Sequence, residues 1–274
     1  MNLVGVIVED VRMVAVRSGD RLDLLGPVDT FWSDPGRSLA NRGGTSIPTD
    51  GANVTHPVPD SARILCLGLN YRAHASEGNF SAPDHPVIFG RWTASLVTDG
   101  ASVAVPPDED GLDWEGEVAA VIGQRLNRVD PDTARAAVLA YAPFNDLTAR
   151  RAQKLTSQWT LGKNADLSGP MGDLVTADEV GDLRDGLHLQ TIVNGEVVQD
   201  GNTRDMIFEA GEVLSRVSQI MTLNPGDILV TGTPEGVGYV RTPPWLLSEG
   251  DRVTVTVERL GSVSTTVVGS TPLT

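Results

Sequence analysis

The residues best equipped for chemistry are three carboxylates and one histidine. The stretch from Asp113 to Gly123 reads DWEGEVAAVIG, and Glu117–Ile122 has the composition of a buried strand. Glu115 and Glu117 stand two apart at its start, so an extended backbone points both side chains to one face. Two like charges beside an apolar run repel each other, and a bound cation relieves the repulsion. Taken alone, an E-x-E pair is more often the solvated edge of a strand. Asp146, in FNDLTAR, is a candidate third ligand. An oxygen-only set suits Mg²⁺ or Mn²⁺ rather than zinc and leaves about three octahedral positions for water or a chelating substrate. Spacing by itself does not join Asp146 to the other two. No cysteine–histidine cluster offers a structural zinc site.

The histidine is His74, in Leu67–Gly78, LGLNYRAHASEG. Glu77 follows at i+3, on the same face of a helical turn. A carboxylate touching imidazole selects its tautomer and raises its basicity, as activation of a water requires. A surface His–Glu pair is the plainer alternative. The Gly/Pro-rich GNFSAPDHP that follows has the texture of a closing lid. His56, His85 and His188 read as surface or loop residues. Cys66, within an apolar run, reads as an inert core thiol.

The elements that must position these groups are mostly strands. The chain has 274 residues, 40% of them hydrophobic, enough for a large domain and a small one. Expected strands are Val4–Val8, Met13–Val16, Arg21–Leu25, Ile64–Leu67, Val87–Phe89, Glu117–Ile122, Leu189–Val193, Ile228–Thr231 and Val253–Val257. Asp130-Pro131 predicts a capped helix over Asp132–Ala140. Apolar spacing predicts a second helix over Asp205–Met221. Trp32–Asp60 is rich in Gly, Pro, Ser and Asn and reads as irregular, so a boundary near Asp60 divides 1–60 from 61–274. The pattern is mixed α/β and β-rich, without the strand–helix alternation of a doubly wound fold.

Net charge is −15, which argues against nucleic acid or an anionic membrane as partner. The single cysteine permits no intrachain disulfide and allows a reducing compartment. The opening MNLVGVIVEDVRMVAV does not read as a signal peptide, and no apolar run approaches the roughly 20 residues of a membrane span. The expected location is cytoplasmic.

Seven motifs then fall in one order: GLNYRAHASEG, DWEGEVAAVIG, NDLTARRAQ, QWTLGKN, VNGEVVQDGNTRDMIF, LNPGDILVTGTPEGVG and EGDRV. From about Ile64 to the C-terminus the chain resembles the fumarylacetoacetate hydrolase family. The resemblance implies a β-roll or sandwich catalytic domain with a small N-terminal domain, usually as a homodimer. It implies that Glu115, Glu117 and Asp146 bind Mg²⁺ (or Mn²⁺), that His74 and Glu77 activate water on a lid, and that Lys163 stabilises negative charge on the substrate. Gln153 and Thr233 match polar residues of the same pocket, and Tyr71 and Arg91 join them as substrate-binding candidates. TGTPEGVG lacks the lysine of a phosphate loop, so its glycines are expected to let backbone approach the pocket.

The implied activity is hydrolysis of a C–C bond in a small 1,3-diketo, acylpyruvate-like acid. Alternatives are a decarboxylase or hydratase/isomerase of 2-oxo acids, a biosynthetic enzyme on a larger β-dicarbonyl, or a non-catalytic metal-binding protein. Three departures bear on the substrate. Phe89-Gly90-Arg91-Trp92 replaces the usual Phe-x-Lys-Pro, and Arg91 is expected to grip a carboxylate through two bonds while Trp92 forms an aromatic wall. Arg150-Arg151 replaces Arg-Asp, and Pro170-Met171-Gly172-Asp173 replaces Pro-x-Gly-Pro.

Overall fold

The computed structural model describes residues 1–41, 44–78 and 81–269. Asn79 and Phe80, within the expected lid, lie outside the described residues.

The strand Gly116–Ile122 is buried along its whole length. Its residues alternate between two cores: Val118, Ala120 and Ile122 face one, Ala119 and Val121 the other. Burial on both faces explains the unbroken apolar run. The strand pairs antiparallel with Val138–Asn145, from Gly116↔Asn145 to Ile122↔Val138. On its other side lies Ile228–Val230, which runs parallel to Ile64–Gly68; that strand pairs with Val87–Arg91 at the sheet edge. In the other direction Leu174–Thr176 links Val138–Asn145 to the strand Asn2–Val8. The result is one eleven-stranded sheet.

A five-stranded sheet, ordered Glu196–Asn202, His188–Val193, Arg252–Val257, Gly261–Val268 and Ser102–Ala104, covers one face. Leu189, Val255, Val257 and Val263 join Val118 and Ala120 in a shared core. Two sheets packed face to face, with short helices at their margins, make the β-rich mixed α/β fold.

The first 60 residues are not structurally separate from this frame. Leu3, Val14, Phe31, Trp32 and Val58 share a core with Ala119 and Val121. Arg17 Nε pairs with Asp173 Oδ2 at 2.7 Å across the expected boundary. Asp173, one of the departures, thus ties the N-terminal strands to the rest. The segment expected to be irregular, Trp32–Asp60, contains the end of the helix Val28–Ser33, the helix Pro35–Ala40 and two short strands. Trp32 is buried there, its indole N–H donating to the Pro57 carbonyl at 2.6 Å.

Both expected helices are shorter than their patterns. The first is Pro131–Ala136, capped by Asp130, and the chain from Val138 becomes a strand. Pairing with Gly116–Ile122 overrides the helical preference of its alanines. The second is Ala210–Ser218. The Asn70 side chain accepts from Phe208 N–H at 2.8 Å and donates to its carbonyl at 3.0 Å, so the backbone before Glu209 is bonded outward rather than along a helix. Among the described residues no helix is long and apolar enough to cross a membrane.

Candidate metal centre and active site

Cross-strand pairing assembles the carboxylates. Asp146 N–H donates to the Glu115 carbonyl at 2.9 Å, one step beyond Gly116↔Asn145. Glu115 and Glu117 share the parity of Ala119 and Val121, and Asp146 shares that of Ala142 and Phe144, so all three side chains reach one face. One oxygen of each lies within 4.8 Å of the others, and all three residues are buried.

Three cations surround them. Arg91 Nε pairs with Asp146 Oδ1. Arg150 Nη2 lies 2.7 Å from both Glu115 Oε1 and Asp113 Oδ2. Lys163 Nζ lies 2.6 Å from Glu115 Oε2 and 2.6 Å from Asp146 Oδ2. Burial would raise the Glu115 pKa, but Lys163 and Arg150 outweigh it and hold the carboxyl at about 2. Glu117 is different. Burial, with Asp146 and Glu115 beside it, pushes its carboxyl well above the usual range. Its Oε2 accepts from Gly232 N–H, while its Oε1 has no partner among the described residues. Gly232 has φ +89°, and a Cβ there would meet Asn70 Cβ at 2.7 Å, so only glycine brings this N–H to the carboxylate.

These features fit a hard divalent cation. The donors are all oxygens, they converge, and the burial and like charges that raise the Glu117 pKa are what a cation touching its unpartnered Oε1 would offset. Glu115, Glu117 and Asp146 are the residues that would hold it.

The dyad forms on the helix Arg72–Glu77, directly after the strand Ile64–Gly68. His74 Nδ1 is 2.8 Å from Glu77 Oε1, and Glu77 Oε2 accepts from Gly236 N–H at 2.9 Å. An ionised carboxylate only accepts, so Nδ1 carries the proton and Nε2 keeps its lone pair. A cleft of about 240 Å³ is lined by His74, Glu115, Arg150, Gln153, Lys163 and Thr233.

Residues 63–268 match the family model described as fumarylacetoacetate (FAA) hydrolase C-terminal. The chain belongs to the fumarylacetoacetate hydrolase family. It is 39% identical over 224 residues to the mitochondrial oxaloacetate tautomerase Fahd2a of Rattus norvegicus, covering 81% of this chain and 71% of that protein. The structure of 2-hydroxyhepta-2,4-diene-1,7-dioate isomerase from Mycobacterium marinum superposes with a TM-score of 0.79 at 30% identity, covering 98% of this chain and 99% of that one. Fumarylpyruvate hydrolase from Pseudomonas aeruginosa, in complex with Mn²⁺ and pyruvate, gives a TM-score of 0.70 at 30% identity over 81% of this chain and 93% of that one.

Within this family frame, two expected substrate contacts lie elsewhere. Arg91 does not line the cleft; it is buried behind Asp146 and donates to Ser95 and Ser168 hydroxyls at 3.2 and 3.0 Å and to the Leu147 carbonyl at 2.7 Å. All its donating nitrogens are engaged, so it holds Asp146 rather than a substrate. Tyr71 is also buried and borders a separate polar depression beside Arg72. Its hydroxyl has no partner among the described residues, and burial, with Glu117 near, pushes its pKa upward. Trp92 is 59% exposed and forms no wall. The aromatic lining comes from Tyr239 and from Phe89 and Trp159, the last two packed edge to face at 5.4 Å. Gly68 makes room for that indole: a Cβ there would meet Trp159 at 2.3 Å. Arg151 lies on the surface, donating to the Asp108 carbonyl.

Gln153 and Thr233 do reach the cleft. Gln153 Oε1 accepts from Arg150 Nη1 at 3.0 Å, and Thr233 Oγ1 donates to the Gly116 carbonyl at 2.9 Å. The sequence reading assigns no site role to Asp113, Tyr239 or Arg150, the last of which it names only as a departure from the family pattern. Asp113 is fully buried, holds Arg150 Nε at 2.8 Å and accepts from Gly238 N–H at 2.7 Å. Arg150 in turn lies 4.2 Å from the centre of the Tyr239 ring. The one available signal was Asp113 heading the DWEGE motif. His85 and His188 are exposed as expected. His56 lies in a loop, as expected, but is half-buried: burial, then Arg12, lower its pKa to about 4.

Proposed function

We propose that this family member is a divalent-cation-dependent enzyme of small 2-oxo acids, and that its reaction is keto–enol isomerisation of an oxaloacetate-like dicarboxylate. The observation that carries the reading is the His74–Glu77 pair, set on the wall of a cleft that also bears Lys163, Arg150 and Lys154. A positive lining suits an anionic substrate of a protein whose net charge is −15.

Glu77 fixes the imidazole so that Nε2 is the base. Nε2 removes a proton from the carbon between the two carbonyls. The electron pair moves into a carbon–carbon double bond, and negative charge develops on the keto oxygen. Lys163 stabilises that charge. The imidazolium returns its proton to the oxygen, giving the enol, and the reverse sequence gives the ketone. Mg²⁺ or Mn²⁺ held by Glu115, Glu117 and Asp146 would supply Lewis-acid polarisation of substrate oxygens. The preference for isomerisation over the hydrolysis that the motifs suggest rests on the 39% identity to an oxaloacetate tautomerase.

A second reading is hydrolysis of an acylpyruvate, with His74 drawing its proton from water. It is supported by the 30% identity to fumarylpyruvate hydrolase, whose structure holds Mn²⁺ and pyruvate. We also infer a cytoplasmic homodimer, the assembly from the family resemblance and the compartment from the single, buried cysteine.

The test is NMR of purified protein with Mg²⁺ and oxaloacetate, acetylpyruvate or fumarylpyruvate, with and without EDTA. EDTA-sensitive acceleration of enol–keto conversion of oxaloacetate, without cleavage of the acylpyruvates, is expected. Pyruvate plus the matching acid from an acylpyruvate would select hydrolysis instead. Silence on the whole panel would reject both. His74→Ala should slow either reaction by about 10²–10⁴-fold.

A further inference from the structure

The buried carboxylates already share a cation that the chain itself carries. Arg91 and Arg150 hold the oxygens Asp146 Oδ1 and Glu115 Oε1. Both are anchored elsewhere as well: Arg91 on Ser95, Ser168 and Leu147, Arg150 on Asp113 and Gln153. Lys163 is held differently. Its ammonium takes the remaining oxygens, Glu115 Oε2 and Asp146 Oδ2, at 2.6 Å each, and these are its only hydrogen-bond partners among the described residues. Lys163 ends the helix Thr160–Lys163, and its side chain borders the cleft.

We propose that the Lys163 ammonium is a stand-in for the divalent cation: it neutralises Glu115 and Asp146 until the ion binds, then releases both oxygens and turns into the cleft to meet the substrate. The inference rests on the reading that Glu115, Glu117 and Asp146 hold such an ion. The conflict is electrostatic. Mg²⁺ binds oxygen at about 2.0–2.1 Å, so an ion on the same two oxygens would sit less than about 5 Å from the ammonium. In a buried site that repulsion is poorly screened. The two arginines cannot yield, because their other partners would be left unsatisfied. The lysine can, because its flexible four-carbon stem has the adjoining cleft to enter. Ion binding would then also deliver the cation that the substrate needs.

The experiment compares Lys163→Met with the wild-type protein, following Mn²⁺ binding by EPR and unfolding by heat. Without Mn²⁺ the variant should melt lower, since two buried carboxylates lose their counter-ion. In saturating Mn²⁺ the two proteins should melt together, and the variant should bind Mn²⁺ at least about tenfold more tightly. A melting deficit that persists in saturating Mn²⁺ would mean that Lys163 bridges the carboxylates permanently, and the proposal fails. Equal Mn²⁺ affinities would also overturn it while leaving the metal site standing. No Mn²⁺ binding by either protein would remove the metal reading and the proposal together. Lys163→Gln, neutral but polar, provides the same comparison if the methionine variant does not fold.

Discussion

Two networks of arginines and carboxylates occupy this molecule, and they differ in almost nothing but burial. The outer one lies beside the helix Pro131–Ala136. Arg135 bridges Asp132 and Glu209 at 2.7 Å each, and Arg184 donates to Asp182 at 3.0 Å. Asp132 is 88% exposed and Arg184 55%. The inner network joins Arg91, Asp146, Lys163, Glu115, Arg150 and Asp113, and the Arg91 and Asp146 side chains are 0% exposed. In the outer network Asp132 and Arg184 stay well hydrated and Arg135, Asp182 and Glu209 remain partly exposed, so a broken pair can be solvated by water. In the inner network a lost partner strands a charge where water does not reach. A buried ion pair is a poor source of net stability, and apolar residues of the same volume often serve better. On the proposed function the network has another use: its cations keep Glu115 and Asp146 charged and aimed at one point.

Four experiments set the two networks against each other. The largest effect is expected from Arg91→Met, which removes the donor to Asp146 Oδ1, to the Leu147 carbonyl and to the Ser95 and Ser168 hydroxyls. Urea denaturation should show a loss of about 3–5 kcal/mol, and adding Asp146→Asn should recover part of it. A loss no larger than that of a surface substitution would dissolve the contrast between the networks.

Next in size is the response of the inner site to pH and cation. Glu117 in the folded protein holds a proton that the unfolded chain gives up at its lower, ordinary carboxyl pKa. In EDTA, stability should therefore fall as pH rises above the ordinary carboxyl range. A bound cation needs that carboxyl ionised, so its affinity should rise with pH and its binding should release a proton. Titration calorimetry of Mg²⁺ in two buffers of different ionisation heat measures the release; identical observed heats in the two buffers would contradict it.

A smaller effect tests burial without an ion pair. His56 has its pKa lowered to about 4, chiefly by burial. The unfolded chain takes up a proton first, so stability should decline as pH falls from 6.5 towards 4. His56→Gln should flatten that decline in a series of thermal melts. The smallest effect belongs to Arg184→Ala in the outer network, which should leave the thermal midpoint unchanged. A clear drop would show that exposure does not govern these pairs.

Much of the site was legible from residue type and spacing. His74 and Glu77 are one helical turn apart, and local geometry alone brings them to 2.8 Å. Glu115 and Glu117 share a face because strand side chains alternate. The unbroken apolar run Glu117–Ile122 is readable as a buried strand because both of its faces are covered. These are short-range consequences of backbone geometry, and a sequence carries them in full. The resemblance of seven motifs supplied Asp146 and Lys163, which no local rule could join to the pair.

The rest was decided in three dimensions. Val138–Asn145 is a strand because Gly116–Ile122 lies beside it, although its alanines favour a helix. The first 60 residues read as a separate unit, yet Trp32 and Val58 complete the core that backs the catalytic strands. Arg91 and Arg150 show the limit most plainly. An arginine pattern states that a positive charge is present, but whether it faces solvent, substrate or a buried carboxylate depends on which strands end beside it. That choice is made by contacts between residues far apart in the chain, such as Arg91 with Asp146.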